Sequence, residues 1–383
     1  MLVSLAVRMA QSLQLHREES YSTLPWGQAE LRRRIWYTLQ ALDYQAAMDR
    51  GSDLGITPDG YTTKPPADHV DSDYALDSSA PSPAAGPCIG MIFYSIHCKS
   101  NWLLRRLNWV QPGEAERSPT PMQSSWKVRQ DAIAELERSL EIDILSHIQQ
   151  DSVLRFACIS FTKVLLRSAQ MYAVRPLQRH PAMTLPPPEQ LNVLLIALEA
   201  VQVKRSLLSE PTEPWHWLIK GFVDWHGLAV LLAELCNPDQ YDPQLVERAW
   251  TVALLAFDTL SEQIAEGVQG PLWKPMKKLM RSAQKKRQDR GSFSASTTTA
   301  TITNNTDVAL GFQGHLSAYT TSAMDMLALD PLTGPPENGW TDTSELDPLQ
   351  ASWFNWQSFT DDLAMSNGYG WGAMDFDPIF GGL

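Results

Sequence analysis

Cysteine is scarce in this chain: 383 residues hold four, Cys88, Cys98, Cys158 and Cys236, with no Cys-x-x-Cys among them. That spacing excludes a disulfide framework or a zinc site built within the chain and predicts buried free thiols in a reducing compartment. The eight histidines include no His-x-x-x-His or His-Glu-x-x-His pair, so no metal ligand is expected either. No run of 18 apolar residues exists, and the first residues, Met-Leu-Val-Ser-Leu-Ala-Val-Arg, lack a basic leader. Neither a membrane span nor a secretion signal is therefore expected. Gly-x-Ser-x-Gly elbows and phosphate loops are missing, and the single Gly368-x-Gly370-x-x-Ala373 match has no strand pattern before it. No catalytic residue is expected, and the chain is not read as an enzyme.

Basic residues are absent from one whole stretch. Residues 291–383 contain no Lys or Arg but eleven acidic side chains, among them Asp361, Asp362, Asp375 and Asp377. The overall charge of −12 is therefore almost entirely a tail property, and the first 290 residues are close to neutral. Strand-like alternation is missing as well. Apolar residues recur instead at three- and four-residue steps, and the class is all-α, with helices packed by ridges and grooves.

Two helices are read in the first 51 residues, the second ending near Gly51, and helical patterns follow near 88–108, 125–149, 152–174, 189–208, 214–236, 243–265 and 273–289, separated by proline-rich connectors. Leu2, Leu5, Met9 and Leu13 form one expected core stripe. Leu31, Ile35, Leu39, Leu42 and Ala46 form a second, and Ile133, Leu136, Leu140, Ile144 and Ile148 a third. Residues 56–87 read as a long surface loop. The division is a helical body over 1–290 and a low-complexity tail over 291–383. The tail offers too little apolar surface to offset roughly 1–2 kcal/mol of backbone entropy per residue and is expected to be disordered.

The order of elements in the first 73 residues is specific: Leu15-His16-Arg17, then Glu30 with Arg32-Arg33-Arg34 and Trp36, Leu42-Asp43, Arg50-Gly51, Pro65-Pro66 and Asp71-Ser72-Asp73. A second stretch runs from Trp225-His226-Gly227 through Glu234-Leu235-Cys236 and Arg248-Ala249-Trp250 to Leu272-Trp273-Lys274-Pro275. Together they resemble the fungal-specific transcription factor domain, the helical middle region of fungal zinc-cluster regulators. The resemblance implies an architectural role for Glu30, Arg32, Arg33, Arg34, Trp36, Asp43, Arg50 and Gly51. It also implies a nuclear RNA polymerase II-type regulator, often of a secondary-metabolite gene cluster. The family's six-cysteine zinc cluster cannot be supplied by these four cysteines, so no DNA-binding residue, cofactor or zinc is expected in this chain. Two readings stay open: an N-terminally incomplete form whose zinc cluster lies upstream, or a regulator that reaches DNA through a partner.

Three consecutive arginines on a helix point about 100° apart and cannot all face one phosphate backbone. They are expected to tie the helix to neighbouring carboxylates, with Glu30 and Arg34 as an i,i+4 pair. A stronger basic cluster ends the body. Within it, Lys277, Lys278, Lys285, Lys286 and Arg287 are a nuclear import candidate, against a solvated basic face that complements the acidic tail. In the tail, Trp353, Phe354, Trp356, Phe359, Trp371, Phe376 and Phe380 alternate with carboxylates. That is the composition of an activation segment offering aromatic anchors to coactivator proteins. The opposing reading docks Trp353–Phe359 on the chain's own body. Trp215-His216-Trp217 with Trp225-His226 is a candidate lining for a small-molecule effector cavity. The alternative to a transcription regulator is a helical ligand-binding or scaffold protein with no role at promoters.

Overall fold

The computed structural model describes residues 2–50, 54–69, 88–108, 120–149, 152–177, 182–184, 186, 191–208, 210–221, 225–263, 272–299 and 356–363. Among them every regular element is helical: α1 (Leu2–Ser12), α2 (Trp26–Arg50), α3 (Ile92–Asn108), α4 (Pro121–Ser124), α5 (Trp126–Asp143), α6 (Val153–Val174), α7 (Val193–Ser206), α8 (His216–Gly221), α9 (Trp225–Leu235), α10 (Pro243–Gln263) and α11 (Trp273–Thr299). A further helix covers residues 356–363. The all-α class expected from the periodicity is the class observed.

Local chemistry sets several of the helix starts. Ser125, Ser152 and Asn192 each accept a hydrogen bond from a backbone N–H three residues on, satisfying a donor that the first turn leaves orphaned. Asp242 does the same for Gln244 and Leu245, with Pro243 at the first helical position, where its missing N–H costs nothing. α1 stops at Gln14, which takes a left-handed conformation (φ 57°) while the Leu15 N–H reaches back to Ala10 O at 2.9 Å.

The apolar residues assemble into three clusters. α9 is buried on every side, all eleven residues from Trp225 to Leu235, and is wrapped by α6, α7, α10 and α11. α3, α5 and α6 form a second cluster that includes Ile133, Leu136, Leu140, Ile144 and Ile148, the third stripe expected from sequence. α1, α2 and the 54–63 segment build a smaller third one around Trp36. α6 is the shared wall: Phe161 and Leu165 face the second cluster, Met171 and Val174 the first.

Two expected stripes face the other way. Leu2, Leu5, Met9 and Leu13 are 80, 56, 58 and 62% exposed, while Val7 and Ala10 carry the buried face of α1. On α2, Leu31, Ile35 and Leu42 are exposed, Leu39 and Ala46 are half-buried, and the core contacts come from Trp36, Tyr37, Tyr44, Ala47 and Met48. Both helices are apolar on more than one face, and the large aromatic rings of α2, which bury the most area per side chain, decide which face turns inward. The loop after α2 is also less superficial than expected, since Ile56 and Thr63 are buried.

Helix also enters the expected tail. α11 continues to Thr299, and residues 356–363 fold onto the body. The remainder of the tail, with Trp353, Phe354, Trp371, Phe376 and Phe380, lies outside the described residues, as does Gly51.

Candidate functional site

The 356–363 helix, Trp-Gln-Ser-Phe-Thr-Asp-Asp-Leu, places Trp356, Phe359 and Leu363 at i, i+3 and i+7, one apolar stripe, and leaves Gln357 and Asp361 on the outer face. All three anchors are at most 1% exposed and join the α9-centred core. Trp356 stacks on Phe359 (5.3 Å between centroids), meets His226 edge-on (5.1 Å) and donates its indole N–H to Pro176 O at 3.2 Å. Phe359 lies 5.8 Å from Trp225. At the rim, the Lys278 ammonium of α11 holds the Asp362 carboxylate at 2.8 Å.

The receiving groove is fixed by a buried polar network. Arg175, at the C-terminal end of α6, pairs with Glu234 of α9 at 3.0 Å, with both side chains fully buried. Glu234 also accepts the Tyr241 hydroxyl at 2.7 Å. Burial, and after it the Glu234 charge, raises the Tyr241 phenol and keeps it a neutral donor. His226 Nε2 lies 3.0 Å from Arg175 O, an acceptor, so that nitrogen carries the proton. Its ring lies tilted against Tyr172 at 4.3 Å, and Tyr172 meets Tyr44 of α2 at 6.3 Å. Tyr44, Tyr172, His226 and Trp356 thus form a series of rings from α2 to the tail helix.

The motif residues of α2 build a second network. Arg33 bridges the Glu18 and Glu30 carboxylates, and Glu30 Oε2 accepts the Ala67 N–H at 2.8 Å. The expected Glu30–Arg34 pair is thus replaced by Glu30–Arg33, because the Arg34 guanidinium is taken by His69 O at 2.9 Å. Arg32 reaches Leu13 O and lies over the Tyr21 ring. Asp43 accepts the Gly55 and Ile56 N–H groups, each at 3.0 Å, and pairs with the buried Arg105 at 3.0 Å. A Cβ on Gly55 would stand 2.7 Å from Asp43 Oδ1, so only glycine permits this clamp. Trp36 is fully buried. Arg50 ends α2, and its side chain lies outside the described residues.

Within the import candidate, Arg287 pairs with Glu247 of α10 at 2.8 Å and lies over Trp250, and Lys278 is the tail's partner. The candidate effector residues do not converge. Trp215 packs on Phe93, Trp217 is 75% exposed, and the cleft beside Trp225 and His226 holds only about 60 Å³. A groove of about 620 Å³ lies elsewhere, between α2, α3 and α5, walled by Tyr37, Tyr94 and Trp102. Cys98, Cys158 and Cys236 sit apart on α3, α6 and after α9, and burial pushes each thiol up to about 12. Zinc needs clustered thiolates, so these residues do not fit a zinc cluster. No described helix is long and apolar enough to cross a membrane.

Residues 1–100 match the fungal specific transcription factor domain. The chain is 27% identical over 259 residues to the aurofusarin cluster transcription factor aurR2 of Gibberella zeae, which covers 66% of this chain and 37% of that protein. It is 24% identical to the C6 finger domain transcription factors nscR of Aspergillus fumigatus and adaR of Aspergillus niger, over 74% and 73% of this chain and 37% of each of theirs. The chain therefore spans little more than a third of the length of these curated relatives. No solved structure matches it.

Proposed function

We propose that the chain is the regulatory part of a nuclear fungal transcription regulator of a secondary-metabolite gene cluster, with no catalysis of its own, and that its tail recruits coactivator proteins. The observation that carries this reading is the family match over residues 1–100, supported by one relative named as a cluster transcription factor and another named as a C6 finger domain transcription factor. The seated tail helix refines the role of the aromatic anchors. Trp356 and Phe359 are held by the body, and a coactivator competes with the groove for them, while Trp353, Phe354, Trp371, Phe376 and Phe380 are the other anchors of the activation segment. Import rests on Lys277, Lys285 and Lys286, with Lys278 and Arg287 released when their partners let go.

The test is a reporter assay. Residues 291–383 fused to an unrelated DNA-binding module should activate strongly, and fusion of the whole chain should activate less. Lys278→Glu and His226→Ala, which loosen the groove without touching the tail, should restore activity to the whole-chain fusion. A silent tail refutes the activation reading, and unchanged whole-chain output in both groove variants refutes the masking. Import is scored separately by the nuclear fraction of a fluorescent fusion carrying Lys277→Ala, Lys285→Ala and Lys286→Ala.

A second reading, a helical ligand-binding protein, draws on the 620 Å³ groove, which falls within the size range of small-molecule sites. A small molecule that raises the melting temperature of wild-type protein but not of a Trp102→Ala variant would favour it.

A further inference from the structure

α11 segregates its cations by face. Met276, Leu279, Met280 and Ala283 form its buried side, and Arg287 and Arg290 reach α10 and its preceding turn through Glu247 and Asp239. On the opposite side, Lys274, Lys277, Arg281 and Lys285 follow one another at three- and four-residue steps. They fall within roughly 80° of arc along about 16 Å of helix. Lys274, Arg281 and Lys285 are exposed and Lys277 is half-buried. None of the four has a carboxylate partner among the described residues, and Lys278 beside them is held by Asp362 of the tail.

This arrangement works against the helix that carries it. Lys274 with Lys278, Lys277 with Arg281, and Arg281 with Lys285 are like-charge i,i+4 pairs, each costing a few tenths of a kcal/mol. The single carboxylate of residues 273–290, Asp289, lies one turn beyond Lys285 and can offset only that end of the row, leaving Lys274, Lys277 and Arg281 without an acid at helical spacing. A solvated face kept for helix stability alternates its signs; a one-sign row with fixed spacing fits an extended polyanion. We propose that this face of α11 binds the phosphate backbone of duplex DNA without regard to base sequence. It would add a positioning contact to whatever module reads the base sequence. Each cation would neutralise a phosphate on a strand whose charges recur at about 3.4 Å of axial rise. The tail's Asp362, paired with Lys278, sits at the edge of the same face, and it and the neighbouring Asp361 would compete with DNA for it.

The test is fluorescence anisotropy of the full 383-residue chain with a labelled 24-base-pair duplex of arbitrary sequence, titrated at several KCl concentrations. Four phosphate contacts give a slope of log K against log salt of about −3.6, a roughly 150-fold loss of affinity between 50 and 200 mM. Replacing Lys274, Lys277, Arg281 and Lys285 together with Ala should abolish binding. Circular dichroism should show the helix intact, because Ala relieves the repulsion and favours helix. The charge-retaining Lys→Arg replacements should keep the slope. Asp361→Asn with Asp362→Asn should tighten binding at low salt. Absence of wild-type binding at 50 mM KCl overturns the proposal. So does an unchanged slope in the alanine variant, or displacement of the duplex by poly-glutamate as effective as displacement by unlabelled duplex, which would assign the face to an acidic protein surface. These readouts need neither activation nor import, so they fail independently of the reporter assay.

Discussion

Trp356→Ala is the sharpest perturbation of the tail. A fully buried indole removes about 150–250 Å² from water, worth ~4–6 kcal/mol, and its N–H bond to Pro176 O adds about 1 kcal/mol. Phe359 and Leu363 bring the anchors to a total on the order of 10 kcal/mol. Ordering eight residues costs roughly 8–16 kcal/mol of backbone entropy. The helix therefore sits close to release, and losing ~4 kcal/mol at Trp356 should free it. Hydrogen exchange of the 356–363 amides reads this directly. Protection should fall by about three powers of ten, or to the rate of an unprotected chain if that is reached first. Gln357→Ala, on the exposed face, should leave exchange unchanged. Persistent protection in Trp356→Ala, with the body folded, would refute the claim that this ring holds the helix in place.

Three further outcomes test the body. Both ring nitrogens of His97 are buried, and desolvation lowers its pKa from 6.5 to about 4, so the unfolded chain binds a proton that the folded one refuses between those values. Stability should decline by up to about 3 kcal/mol as pH falls from 6.5 toward 4, and His97→Gln should flatten that part of a urea-melt pH series. Glu234→Ala strands the buried Arg175 charge and should cost about 3–5 kcal/mol in denaturant melts, whereas an apolar replacement of both partners should cost far less. Gln14→Gly removes the left-handed penalty at the end of α1 and should raise stability by about 1 kcal/mol, read as a higher melting temperature.

Helix order and most boundaries were legible in the sequence because proline punctuation acts locally, but helix number was not: the short α4 and the 356–363 helix carry too few periodic positions to stand out, and the single pattern over 214–236 divides into α8 and α9. The inward face of α1 and α2 was not legible either, since apolar residues occupy two sides of each and only tertiary packing around Trp36 chooses between them. Seating of Trp356 was visible only as one of two compositional readings, because acidic-aromatic content is the same whether a ring meets a partner or the chain's own core. The Arg175–Glu234 and Asp43–Arg105 pairs join residues 59 and 62 positions apart, a separation over which charge patterning carries no signal. The Glu30–Arg34 expectation failed by one position because the His69 carbonyl, 35 residues away, holds the third arginine of the run.

The rings of Tyr44, Tyr172, His226 and Trp356 stand in consecutive contact. A fluorine label on Tyr172 would therefore sit two rings from the tail and one from the motif helix. Its resonance would register, in one spectrum, both the departure of the tail helix and any rearrangement of α2.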